Sequence, residues 1–188
     1  MAFIIRAFIV LCITLTLAAC GSKQSQYTYL FKNPTVLKQQ WQECQAKGVK
    51  AKAISKCRDA WVVAKVLHDY LSLQESHAVQ ISEDRQKLIA MQQAGASKAM
   101  RQPILNNFSK LMMNVQANFT QQIMATETKL SQLKEALHTM RQNIRIGTLS
   151  AKQHKALTLK IQHTKQAITL QQDLIGAMYA LLNLTMSG

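Results

Sequence analysis

Residues 133–162 read LKEALHTMRQNIRIGTLSAKQHKALTLKIQ, and this stretch decides the fold. Leu133, Leu137, Met140 and Ile144 recur at steps of three and four, which stacks them on one face of a helix. Gly147-Thr148-Leu149-Ser150 interrupts the pattern, and Ser150 with Gln153 three residues on forms a capping box that starts a new helix. Leu157 and Ile161 then resume the same spacing. Two striped helices joined by so short a connection lie antiparallel, as a coiled-coil hairpin.

Working outward, the first stripe extends back through Leu130, Thr126, Ile123, Phe119, Val115, Met112 and Phe108 to Leu105. Consecutive steps of four at Val115–Phe119–Ile123 break the strict heptad, a stutter that locally unwinds the pair. The second stripe runs forward through Thr164, Ile168, Ile175, Met178 and Leu182. Helices of about 45 and about 35 residues are expected. The turns from Leu174 to Met186 are apolar almost all round, which requires burial against another helix or a partner surface. Pro103 falls in the early turns of the longer helix, so that helix either starts near Arg101 or kinks there.

The rest of the chain has the same character. Gln, Ala, Leu and Lys dominate, there are two prolines and six glycines, and no run alternates as a strand does. The expected class is all-α. Asn33-Pro34 offers an N-cap and a first helical residue, followed by Val36, Leu37, Trp41 and Cys44 at helical spacing and a stop at Gly48. Ile54, Cys57, Trp61, Ala64, Leu67 and Leu71 mark a second helix, with a break near Ser76 or Ser82 and a fresh start at Ser82-Glu83-Asp84. Another helix begins near Ser97.

Chemistry is sparse. With nine acidic residues there are few candidates for general acid–base work, and no phosphate loop or Ser-His-Asp order is present. The five histidines form no i, i+3 or i, i+4 pair, so no metal is expected. The reading is a non-enzyme without cofactors. Met91, Met100, Met112, Met113, Met124 and Met140 fit core packing better than an adaptable interface. The net charge of +14 points to anionic head groups, cell-wall material or an acidic protein, against the plain alternative of solvated basic faces.

At the amino terminus Arg6 precedes an apolar run from Ala7 to Leu17, then Ala18-Ala19-Cys20-Gly21. This resembles the lipobox of bacterial lipoproteins. The resemblance implies a signal peptide over 1–19, diacylglyceryl (palmitate-type) lipidation at Cys20 and a membrane-held mature chain. Gly21, rather than Asp, fits delivery to the periplasmic face of the outer membrane. A plain secretory signal is the alternative; an uncleaved span is disfavoured, because the run is short of roughly 20 apolar residues. Export also argues against nucleic acid as a partner. Residues 20–26 then form a lipid-proximal tether, 27–68 a short helical hairpin and 69–188 a helical extension.

With Cys12 in the signal and Cys20 lipidated, Cys44 and Cys57 remain. Two cysteines in an oxidising compartment favour one disulfide, with two free thiols as the alternative. Trp41 and Trp61 sit one turn from these cysteines and would cover a bridge. Tyr27-x-Tyr29-Leu30-x-x-Asn33-Pro34, then Cys44, then Cys57-Arg58-Asp59-Ala60, following a lipobox, is similar to the EexN family of entry-exclusion lipoproteins. The resemblance covers Cys20 to about Ala64, and the chain continues more than 100 residues beyond it. It implies a protein that blocks redundant conjugative DNA transfer through contact with a type IV secretion component. Tyr29, Trp41 and Trp61 are the candidate binding residues. A minor pilus-tip-like subunit of the secretion apparatus is the alternative, as is a coiled-coil lipoprotein bracing the envelope. The coiled coil also offers a route to homo-oligomers.

Overall fold

The computed structural model describes residues 23–48, 54–147 and 149–186, and among them every regular element is helical. Helix α1 covers 23–32, α2 Pro34–Ala46, α3 Ser55–Glu75, α4 Ala78–Gln93, α5 Lys98–Ile146 and α6 Ala151–Met186. The all-α expectation holds, as does the hairpin: α5, of 49 residues, and α6, of 36, pack against each other. Ser150 restarts the chain as its sequence requires. Its backbone N–H donates to Gln153 Oε1 at 3.0 Å, and its Oγ accepts from the Gln153 N–H at 3.4 Å, completing the capping box.

Several local readings are corrected. Residues 23–26, expected within the tether, are helical and belong to α1. Asn33 does not cap α2 through its side chain: its Nδ2 turns back to donate to the Tyr29 carbonyl at 2.8 Å, serving the end of α1 instead. The break after α3 falls at Ser76-His77, and α4 starts at Ala78 rather than Ser82. Helix α5 starts at Lys98 and keeps Pro103 inside it, at a solvent-facing position where water can serve the carbonyl left without a donor. Gly48 and Gly95 hold φ of 55° and 71°, the left-handed values that end α2 and α4. At Gly95 the stop is a full Schellman motif, with Ala96 N–H donating to Met91 O and Gly95 N–H to Gln92 O.

The chain divides into two compact units, one holding the residues through Val66 together with Thr126 onward, the other Leu67–Ala125. The C-terminal half of the extension thus belongs with the N-terminal hairpin. In the first unit the buried residues include Tyr27, Leu30, Leu37, Cys57, Val62, Val63, Val66, Leu174, Ala177, Met178 and Leu181. The apolar end of α6 is therefore consumed by internal packing, apart from the exposed Tyr179 and Met186. Helix α3 turns a different face inward from the one its largest side chains mark. Asp59, Ala60, Val62, Val63 and Val66 are buried, and Trp61 is left 39% exposed.

In the second unit Val115 and Phe119 of α5 are fully buried, and Phe119 meets Tyr70 edge to face with ring centroids 5.1 Å apart. The methionines follow the core expectation only in part: Met140 is buried, whereas Met100, Met113 and Met124 face solvent. Among the described residues no helix is long and apolar enough to cross a membrane.

Candidate functional site

Two features of the first unit stand out, a stapled hairpin and a buried charged junction. Cys44 of α2 and Cys57 of α3 form a disulfide, with Cα atoms 5.5 Å apart. Lys56 pairs with Glu43 at 3.4 Å beside it, an exposed contact worth little by itself. The staple fastens α2, whose buried residue is Leu37, to α3. Of the candidate binding residues, Tyr29 lies on α1 and is 53% exposed, Trp61 lies on the outer face of α3, and Trp41 on α2 is half-buried. Cys20 and residues 1–19 lie outside the described residues.

The junction lies where α1, α3 and α6 meet. Asp173 of α6, its side chain 5% exposed, takes Lys23 Nζ on Oδ1 at 2.6 Å and Arg58 Nε near Oδ2 at 2.9 Å. Asp59, also buried, accepts from Gln26 Nε2 at 3.1 Å through Oδ2 and leaves Oδ1 without a partner. The Tyr27 hydroxyl faces both carboxylates without a well-aligned hydrogen bond to either. Its ring lies against Gly176, where an added methyl group would just touch it at 3.4 Å and a larger side chain would displace it.

Electrostatics follow from this crowding. Burial pushes the Tyr27 phenol above its ordinary range, and the charges of Asp173 and Asp59 push it further. Burial likewise raises the Asp59 carboxyl; Lys23 opposes the shift, Asp173 adds to it and Arg58 opposes it. The junction has two cations, two carboxylates and a phenol, with no nucleophile poised beside a base. Its chemistry is that of a lock between helices. Sequence reasoning missed it, although one signal was available: Asp173 is the only charged residue after Lys165. A lone carboxylate in an apolar helix end needs a partner.

The second unit holds an open groove of about 530 Å³ lined by Glu75, His77, Glu83, Asp84, Lys87 and Asn107. Asn107 Nδ2 donates to Asp84 Oδ2 there. Among the described residues no three His, Cys, Asp or Glu side chains are grouped to hold a metal ion. No family model, no curated protein and no solved structure matches this chain.

Proposed function

We propose that the chain is a membrane-held lipoprotein of the entry-exclusion type, which blocks redundant conjugative transfer by contacting a type IV secretion component. The observation that carries this reading is the Cys44–Cys57 staple in a hairpin module beside the aromatic residues Tyr29, Trp41 and Trp61. A disulfide in so small a module suits an oxidising compartment, where a lipid on Cys20 would hold it. Aromatic side chains on a rigid support are the usual anchors of protein recognition. The docking of α1 through Lys23 supports the same reading, because it fixes the module three residues after the proposed lipid site. The test is expression in a recipient cell. Uptake of the cognate plasmid should fall, and uptake equal to that of an empty recipient overturns the proposal.

A second reading, a structural subunit of the secretion apparatus, draws on the long α5–α6 hairpin. Deletion in the donor separates the two: loss of donor ability favours the subunit, and unchanged donor ability favours exclusion.

A further inference from the structure

The far end of the α5–α6 hairpin has a composition found nowhere else in the chain. From Ala136 to Gln172 there are six cations, three histidines and no carboxylate. Arg141, Arg145, Lys152, Lys155, Lys160 and Lys165 are all exposed, as are His138, His154 and His163. On α5, Lys134, His138, Arg141 and Arg145 follow one another at steps of four, three and four, so they form a single basic stripe. On α6, Lys152 and Lys155 start a matching stripe that continues to Leu159 and His163. Stability does not account for this charge. Among the described residues none of these cations forms an ion pair, and like charges at these spacings repel.

The turn itself adds a second observation. Ile146, the last residue of α5, is 83% exposed, the most exposed of the large apolar side chains among the described residues. Leu149 follows in the connection and is half-buried, and Leu159 is exposed one turn beyond Lys155. An apolar tip ringed by Arg145, Lys152 and Lys155 differs from a groove that tracks a phosphate backbone, which would place polar or aromatic groups there. Cations at the head groups with an aliphatic side chain between them is the pattern of interfacial lipid binding.

We infer that the α5–α6 hairpin tip docks on an anionic phospholipid surface, with Ile146 entering the interface and Arg141, Arg145, Lys152 and Lys155 on the head-group phosphates. This contact is separate from any anchor at the amino terminus. Lys23 docks on α6 at Asp173, which is 22 residues from Ala151 and therefore about 33 Å along the helix from the tip. The inference does not depend on the exclusion reading.

The test uses the full chain and reads the tip locally, so that an amino-terminal anchor does not obscure the result. Backbone hydrogen exchange is followed alone, with phosphatidylcholine vesicles, with vesicles containing phosphatidylglycerol, and with a DNA duplex. Exchange over residues 141–155 should slow several-fold with the anionic vesicles only. That protection should vanish in the variant Arg141→Glu/Arg145→Glu/Lys152→Glu/Lys155→Glu and in high salt. In parallel, Ile146→Trp should give a blue-shifted emission component, quenched by brominated lipid, on addition of the same vesicles. Unchanged exchange with anionic vesicles overturns the inference, as does protection by DNA alone. Because the substituted side chains are exposed, the helical content of each variant should match the parent, and circular dichroism checks this before the comparison.

Discussion

Lys23 Nζ and Asp173 Oδ1 lie 2.6 Å apart, joining the first described residue of α1 to a buried carboxylate of α6 across 150 positions of sequence. Arg58 reaches the other oxygen of the same carboxylate, so one side chain holds three helices together. Removing the shared partner should therefore cost more than removing either cation. Asp173→Ala is expected to destabilise by about 2 kcal/mol, because it strands cations at a partly buried site. Lys23→Ala should cost under about 1 kcal/mol, since that side chain is 46% exposed and Arg58 remains. Urea unfolding of the two variants measures the order, and equal losses would contradict the shared-partner account.

Asp59 sets a pH dependence. Its folded-state pKa is raised, first by burial and with Asp173 adding to it, against the opposing charges of Lys23 and Arg58. Between the unfolded carboxylate value of about 3.9 and the raised folded value, the native state binds more protons than the unfolded state. Asp59 therefore makes stability fall as pH rises through that window. Asp59→Asn keeps an acceptor for Gln26 and removes the charge. Its unfolding midpoint should exceed that of the parent at pH 7, and the advantage should shrink toward pH 4.

The staple should be worth about 3 kcal/mol on the chain-entropy account, for a separation of 13 residues. Cys44→Ala/Cys57→Ala, or reduction of the parent, should lower the denaturation midpoint. Hydrogen exchange should report the loss first in α2 and the start of α3.

Phe119→Ala removes a fully buried ring and its edge contact with Tyr70. The expected cost is about 3–5 kcal/mol. The increase in exchange should be greatest within Leu67–Ala125, the unit that contains both rings.

Tyr29→Ala and Trp61→Ala test the recognition surface. Tyr29 is 53% and Trp61 39% exposed, so each variant should stay folded, Trp61→Ala with the larger loss of thermal midpoint, while losing exclusion in the recipient assay. Unfolded variants would be recognised at once by circular dichroism, and folded variants with full exclusion would remove these residues from the surface.

Much of the fold was legible because helical spacing is a strong signal over long spans. The α5–α6 hairpin, its Ser150–Gln153 restart and the Gly48 stop all follow from side-chain periodicity and backbone sterics. The inward face of α3 was not legible. The large residues Trp61 and Leu71 marked one stripe, while the small side chains of Ala60, Val62 and Val63 let neighbouring helices approach on another. Helix α1 was missed because its polar residues Lys23 to Gln26 read as a tether. What orders this segment is Lys23 on Asp173 and Gln26 on Asp59, contacts whose partners lie far along the chain. Local pattern does not carry such information.

The bond between Cys44 and Cys57 gives the hairpin a chemical record of its route. In a reducing compartment the same chain holds two thiols, and α2 loses the covalent hold that sets it against α3. In an oxidising one the crosslink closes, and the support beneath Trp41 and Trp61 becomes rigid. Two copies of identical sequence can thus differ in competence according to where each has travelled, so that maturation is written into the protein by its surroundings.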